Sequence, residues 1–238
     1  MRNKYFKFKQ FTVFHDKCAM KVGTDGVLLG AWATVRHCQS ILDVGTGSGL
    51  IALMAAQRNN RAKITAIEID TEAALQAKEN VKNSPFNDRI TVLPLSFQDF
   101  ISSATGKFDL IVSNPPFFIN SLPSPDIKRT DARHADLLTL NELFGLSKNL
   151  LSETGIFSLI YPFSERENIM SVAEKENLYL SRETVVFPTP HTLPKRILLE
   201  FSVQEREHID RSELTIEEKR HIYTPEFGQL TKDFYLYL

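Results

Sequence analysis

The chain has 238 residues and is 42% hydrophobic, enough for one domain with a sizeable core. With 28 Lys and Arg against 29 Asp and Glu, it is no uniformly basic nucleic-acid binder, although a local patch would suffice for that role. Cys18 and Cys38 make neither a C-x-x-C pair nor a zinc-type cluster, and neither an apolar leader nor a run of about eighteen apolar residues is present, so we expect a metal-free cytoplasmic protein without a membrane span.

The first forty residues carry Arg2, Lys4, Lys7, Lys9, Lys17, Lys21 and Arg36 against Asp16 and Asp25. This basic start, about residues 1–38, reads as a short extension of one domain covering 1–238. In "MKVGTDGVLLGAW" the polar Thr24, Asp25 and Gly26 form a turn, or a helix cap in which Thr or Asp precedes the apolar "VLLGAW". "SILDVG" is strand-like, with its strand ending at Asp43, and "GLIALMAAQRN" has helical spacing. "KITAIEID" is the next strand. "TEAALQAKENVKNS" opens a helix with Thr71 as the expected N-cap and Glu72 in its first turn. "RITVLPLS" and "FDLIVSN" are the third and fourth strands. "TLNELFGLSKNLL" is helical, "GIFSLIYP" is the fifth strand, and "SERENIMSVAEKENL" is a further helix. "YLSRETVVFP" and "KRILLEFSVQ" follow as two strands joined by "TPHTLP", an antiparallel hairpin. The alternation predicts an α/β fold: a seven-stranded, mostly parallel sheet, antiparallel at its end, with helices on both faces. The aromatic tail "IYTPEFGQLTKDFYL" is expected to dock on the body.

Gly45, Gly47 and Gly49 lie between the first of these strands and its helix. Glycine there permits positive φ and close approach of a ligand, though a tight βα turn needs the same residues. Leu50 stands where a dinucleotide fingerprint needs Gly or Ala. Glu68 ends the next strand, where a carboxylate can accept from both hydroxyls of a ribose. Asp99, in "SFQDF", can accept from an exocyclic amino group with Phe100 beside the base, although such an Asp is more often a cap or turn residue. The ordered set of Asp43, the glycines, Glu68 and Asp99 resembles the class I S-adenosylmethionine-dependent methyltransferases. The resemblance implies a Rossmann-like seven-stranded sheet with its last strand antiparallel. It also implies S-adenosylmethionine as cofactor: Asp43, Gly45, Thr46, Gly47 and Gly49 at the methionine end, with Thr24, Asp25 and Gly26 closing over it. Glu68 and, more weakly, Asp70 would lie at the ribose, and Asp99 with Phe100 at the adenine.

The stretch "DLIVSNPPFF" ends a buried strand in Asn114-Pro115-Pro116-Phe117. Proline has no N–H, so the ladder stops there and acceptors are left free. The Asn114 amide oxygen and the Pro115 carbonyl make two acceptors, which suit one planar NH₂ group, and Phe117 can stack on its ring. "NPPF" resembles the amino-methyltransferase signature of adenine-N6, guanine-N2 and release-factor glutamine-N5 methyltransferases.

Further stretches narrow the choice. "SPDIKRTDARHAD" brings Lys128, Arg129, Arg133 and His134 beside the cleft, as phosphate contacts or as a solvated loop. Lys195 and Arg196 start the last strand, near the same rim or in a charged turn. "FKFKQFTVFHD", "KVGTDGVLLGAW", "NPPFF", the "ARH" loop, "PKRILLEF" and "YTPEFGQLTKDFY" together resemble the bacterial tRNA1(Val) adenine-N6 methyltransferase family across nearly the whole chain. Phe117 stands where many of its members carry Tyr. The resemblance implies methylation of the adenine beside a tRNA anticodon; for the oligomeric state we favour a monomer. Lys7, Lys9, Lys128, Arg129, Arg133, His134, Lys195 and Arg196 would then face the RNA. A protein glutamine-N5 methyltransferase, or a non-catalytic RNA-binding module on this fold, is the alternative. The first usually carries a longer helical N-terminal domain, and the second has no use for the Asn114 acceptors.

Overall fold

The computed structural model describes residues 3–116 and 138–237. A short ribbon of β1 (Tyr5–Lys7) and β2 (Thr12–Phe14) precedes α1 (Thr24–Trp32). The βα alternation follows as β3 (Ser40–Val44), α2 (Leu50–Arg58), β4 (Lys63–Ile67), α3 (Thr71–Lys82), β5 (Ile90–Leu93), α4 (Phe97–Ser103) and β6 (Phe108–Ser113). After these come α5 (Leu140–Leu150), β7 (Leu151–Pro162), α6 (Arg166–Lys175), β8 (Tyr179–Phe187) and β9 (Arg196–Ser202). The chain ends with β10 (Asp210–Thr215), β11 (Glu217–Lys219), β12 (Ile222–Tyr223) and α7 (Pro225–Thr231).

The large sheet has the order β10-β8-β9-β7-β6-β3-β4-β5. Strands β3 to β7 are mutually parallel, and β9 runs antiparallel between β7 and β8. The expected antiparallel hairpin is thus present at the sheet's end. Among the described residues the sheet has eight strands instead of seven, because β10 adds to β8 in parallel. Its sequence, DRSELT, is mostly exposed and carries no apolar run to announce a strand. Charge on a sheet edge is a common guard against unwanted pairing.

Strand side chains alternate between two cores, as the pleat demands. Ile41, Leu110, Val112 and Leu198 face a core with α1, α2, α3 and the chain ends. Leu42, Ile111, Phe157 and Phe201 face the other, with α4, α5 and α6. Phe8, Phe11 and Val13 of the basic start are buried in the first core, so this segment packs as part of the body. The tail docks as expected: Phe227 and Phe234 are buried, and Lys9 N donates to Phe234 O at 2.9 Å.

Two helix starts differ from expectation. Asp70, not Thr71, caps α3, its Oδ1 accepting from Ala73 N at 2.9 Å. The Asp side chain sits one residue earlier, where its oxygen reaches the third amide. Helix α1 begins at Thr24 with Gly23 as its cap, and Asp25 lies in its first turn.

The end of α2 is held by Asn59, which is buried. Its Nδ2 donates to Val35 O (2.6 Å) and Cys38 O (2.8 Å), and its Oδ1 accepts from Arg61 N and Ala62 N. This side chain ties the segment entering β3 to the turn entering β4. Asn59→Ala strands those groups, and a buried orphan costs about 1–3 kcal/mol. We expect a loss of about 2–4 kcal/mol in unfolding free energy, read as a lower urea midpoint with an unchanged slope.

Candidate active site

The register of three strands lays out the site. Val44 pairs with Ile67 on one side and Ser113 on the other. The next residues, Gly45, Glu68 and Asn114, therefore leave the sheet at one level. Chain connections run opposite ways from β3, to β4 on one side and β6 on the other, and such a switch point opens a crevice at the strands' C-terminal ends. Ser113 Oγ donates to Val44 O at 2.9 Å, and Gly45 N and Thr46 N both donate to Ile67 O at 3.0 Å, which fixes the level.

A cavity of about 270 Å³ opens there. Gly45, Gly47, Glu68, Ile69, Asp70 and Ala73 form one wall. Leu95, Ser96, Phe97 and Gln98 line another, and Ser113, Asn114, Pro115, Pro116 and Leu138 a third. Cys18, Ala19 and Met20 complete the lining.

Gly45, Gly47 and Gly49 all have positive φ (71°, 55° and 82°), a region hostile to other L residues. A Cβ built on Gly45 or Gly47 meets no atom within 4 Å, so the loop leaves room for a ligand beside its backbone. Gly49 caps α2 and lies against Ala77 of α3, with 3.4 Å from a built Cβ to the Ala77 methyl. Glu68 braces the loop: its Oε2 accepts from Gly47 N at 2.8 Å and its Oε1 from Asp70 N at 3.0 Å. A carboxylate has about four lone-pair positions, so each oxygen keeps one for a hydroxyl donor.

Asp43 is fully buried beneath the loop and outside the cavity lining. Its Oδ2 accepts from Thr46 Oγ1 (2.6 Å) and Ala52 N (3.1 Å), while Oδ1 has no partner among the described residues. Thr46 is turned inward by that bond and also lies off the cavity wall. Burial pushes the Asp43 carboxyl up from 3.8 to about 7; the Thr46 and Ala52 bonds pull the other way, and the Glu68 charge adds to the rise. Burial first, and then the Glu68 and Asp70 charges, raise the Cys18 thiol to about 11. It stays protonated at neutral pH and donates to Gln76 Oε1 at 3.2 Å.

Among the described residues the buried Asn114 Oδ1 has no hydrogen-bond partner, while Asn114 and both prolines line the cavity. An unmet buried acceptor costs about 1–3 kcal/mol in a structure with no use for it.

Several expected residues lie elsewhere. Asp99 is exposed and off the cavity wall: its Oδ2 accepts from Ser96 Oγ (2.7 Å), and its N–H donates to the same hydroxyl (3.0 Å). The carboxylate is engaged by the cap of α4, and the preceding turn, Leu95 to Gln98, reaches the cavity instead. Phe100 packs in the core, 6.2 Å from Phe108. Thr24, Asp25 and Gly26 are not in the lining either; Asp25 Oδ2 accepts from Arg196 Nε at 2.8 Å. That ion pair engages one expected RNA contact, and Lys9 Nζ donates to Lys232 O in the tail. Lys7 and Lys195 are exposed. Phe117, Lys128, Arg129, Arg133 and His134 lie outside the described residues.

Cys18, Ala19 and Met20 escaped sequence reasoning. They reach the cavity because buried Gln76 of α3 holds the strand leading to them, accepting from Lys17 N (3.0 Å) and donating to Asp16 Oδ1 (2.7 Å). Only tertiary pairing across about sixty positions makes that contact, so no local motif could mark it.

The methyltransferase small domain family matches residues 18–161. A protein of Parabacteroides distasonis named tRNA1(Val) (adenine(37)-N6)-methyltransferase is 53% identical over 99% of both chains. One of the same name from Bacteroides thetaiotaomicron is 49% identical over 100% of both. Among solved structures, an Agrobacterium tumefaciens protein described as a predicted O-methyltransferase gives a TM-score of 0.70 at 21% identity, covering 88% of this chain and 96% of that one. The T. thermophilus 16S rRNA N2 G1207 methyltransferase, solved with AdoMet and guanosine, gives 0.55 at 20% identity, covering 84% and 50%. At such identities the two structures share the fold.

The raised Asp43 pKa has a thermodynamic consequence. Between about pH 4 and 7 the folded chain keeps a proton that the unfolded chain has lost, so this group's contribution to stability falls as pH rises through that window. We expect Asp43→Asn to remove that part of the slope: thermal midpoints measured across about pH 5 to 8 should fall less steeply in the variant than in the parent protein.

Proposed function

This chain belongs to the methyltransferase small domain family and, within it, to the tRNA1(Val) (adenine(37)-N6)-methyltransferases, and from that membership we infer that it transfers a methyl group from S-adenosylmethionine to the exocyclic N6 of adenine 37, beside the anticodon of a tRNA. The observation that carries the chemistry is the buried Asn114 Oδ1 in the cavity wall, which has no partner among the described residues. The working unit in this reading is a single chain in the cytoplasm. Among the described residues, no helix is long and apolar enough to cross a membrane.

The cavity suits the donor molecule on three counts. The positive-φ glycines give a ligand access to backbone. Glu68 and Asp70 put negative charge beside a cationic ligand, and Glu68 retains acceptor capacity for ribose hydroxyls. The Leu95–Gln98 wall and Ile69 offer apolar surface for a base. We therefore assign Gly45, Gly47, Glu68 and Asp70 to direct binding, and Asp43, Thr46 and Gly49 to holding the loop in shape. When bound, S-adenosylmethionine supplies a methyl group on a positively charged sulfur, which departs as a neutral thioether.

The remaining work falls to Asn114 and the prolines. The lone pair of an arylamine is spread into its ring, so the nitrogen is a poor nucleophile. Asn114 Oδ1 accepts one of its N–H groups and the Pro115 carbonyl the other. Taking both hydrogens pulls the nitrogen toward tetrahedral geometry and localises the lone pair on the side facing the methyl group. Neither proline has an N–H to compete for these acceptors. After transfer the nitrogen is cationic and readily loses a proton to solvent, so no strong base is needed beforehand; positioning and fixed dipoles do the work. Phe117 takes the stacking contact by its place in the motif, and the target adenine must be unstacked to reach it.

Incubating the protein with radiolabelled S-adenosylmethionine and tRNA lacking the modification should yield labelled N6-methyladenosine on nucleoside analysis. Label found only in protein would favour glutamine methylation instead. Asn114→Ala should lower turnover by about 10²-fold or more, with donor affinity by calorimetry nearly unchanged. Glu68→Ala should do the reverse at its first step and weaken donor binding; an unchanged calorimetric affinity would remove Glu68 from the site.

A further inference from the structure

The ribbon β1–β2 has two unlike faces. Phe6 and Val13 pair across it and turn inward, Val13 being fully buried and Phe6 lying 4.7 Å from Phe8. The opposite face pairs Tyr5 with Phe14 and Lys7 with Thr12. Tyr5 and Phe14 are 47% and 39% exposed, and their ring centroids are 5.7 Å apart. Single exposed apolar residues are ordinary, but two adjacent aromatic rings on a solvent face suggest a binding role.

Charge indicates the partner. Residues 1–22 hold six Lys and Arg and one acid, Asp16. Lys4, Lys7 and Lys17 are exposed, and Lys7 shares the ribbon face of Tyr5 and Phe14. Asp16 is engaged by Gln76 Nε2 at 2.7 Å and lies 3.9 Å from Lys4 Nζ. Aromatic faces among cations fit an unpaired stretch of nucleic acid, whose bases stack on rings while its phosphates meet ammonium groups.

The ribbon is also held in fixed relation to the cavity. Buried Asn80 of α3 accepts from Phe14 N (2.9 Å) and donates to Phe14 O (2.8 Å), and its Nδ2 also donates to Ser48 O of the glycine loop (2.8 Å). One amide thus joins the aromatic strand to the loop that shapes the donor pocket. Four residues beyond Phe14 the chain enters the cavity wall at Cys18.

We propose that the Tyr5–Phe14 face is a stacking surface for an unpaired nucleotide of the tRNA substrate near its target adenine. This rests on the proposed tRNA methylation and adds a contact outside the transfer site. Asn80 positions it, and the lysines meet the flanking phosphates.

The test is the double variant Tyr5→Leu/Phe14→Leu, which keeps apolar bulk on the ribbon and removes both π-faces. Thermal midpoint and S-adenosylmethionine affinity should match the parent protein, which controls for folding. Affinity for unmodified tRNA at fixed salt should fall by about tenfold or more, with KM for tRNA raised and kcat at saturating tRNA retained. The slope of log affinity against log salt should stay unchanged in this variant and shrink by about one in Lys7→Gln. Unchanged tRNA affinity in the double variant overturns the proposal. So does parent-protein self-association that the double variant abolishes while keeping its tRNA affinity, since the face would then bind protein. A parent protein that binds tRNA without methylating it would overturn the proposed function instead, and the double variant's affinity would still report on the ribbon.

Discussion

Val44 sits between Ile67 and Ser113 in a three-strand register, and the site depends on that pairing. It brings Gly45, Glu68 and Asn114 out of the sheet side by side, although they are separated by tens of residues in the chain. The core enforces it. Ile41 and Leu42 point into different cores, as do Leu110 and Ile111. A slip of one residue would exchange the faces of a whole strand. Both faces are apolar here, so composition alone would tolerate the exchange, but the two cores differ in shape: Trp32 and Met54 pack in one, Phe144, Phe157 and Phe201 in the other. Close packing discriminates between such surfaces even when hydrophobicity does not. Core packing thus sets the level at which the functional groups emerge.

At that level the structure leaves polar demands unmet. Asp43 Oδ1 and Asn114 Oδ1 are both buried without partners among the described residues. A sequence selected for stability alone would fill or remove such acceptors. The two differ in what they serve. Asp43 is sealed under the glycine loop and spends its other oxygen on Thr46 and Ala52, so its effect on a ligand passes through loop shape and charge. Asn114 lies in the cavity wall and has its oxygen available. Local destabilisation at these positions is consistent with a site organised for its substrate before the substrate arrives.

Much of the fold was legible because buried parallel strands are continuous apolar runs punctuated by glycine and proline. The strands from Ser40 to Pro162 were recognised with ends displaced by a few residues at most. What was missed has physical causes. Strand β10 is charged and on an edge, so it lacks the pattern that marks a core strand. The strands of the N-terminal ribbon have three residues each, too few to show a period. Asp99 suggested a base contact, but Ser96 three residues earlier forms an S-x-x-D cap pair that engages its carboxylate. The spacing was visible in sequence; its consequence for Asp99 required seeing which side chain the hydroxyl chose. Cys18 to Met20 reach the cavity beside Gln76, a contact between distant segments with no local trace.

The basic residues show how a nearly neutral protein can serve a polyanion. Counting cations overstates the available charge, because some are engaged within the fold. Arg196 is paired with Asp25, and Lys9 reaches a backbone carbonyl in the tail. Arg58 donates to Gly30 O and Ala33 O and acts as internal bracing. A cation whose hydrogen bonds are spent on the protein contributes less to releasing counterions from phosphate than one standing free in solvent. Affinity from charge alone would then be modest, and it would not distinguish one exposed adenine from another. In the proposed reading, selectivity comes from shape: an unstacked base of the right size, an NH₂ group set against two acceptors, and apolar surface for what flanks it. In the proposed reading the electrostatic surface brings an RNA to the site, while the shared level of Val44, Ile67 and Ser113 sets where the target atom stands.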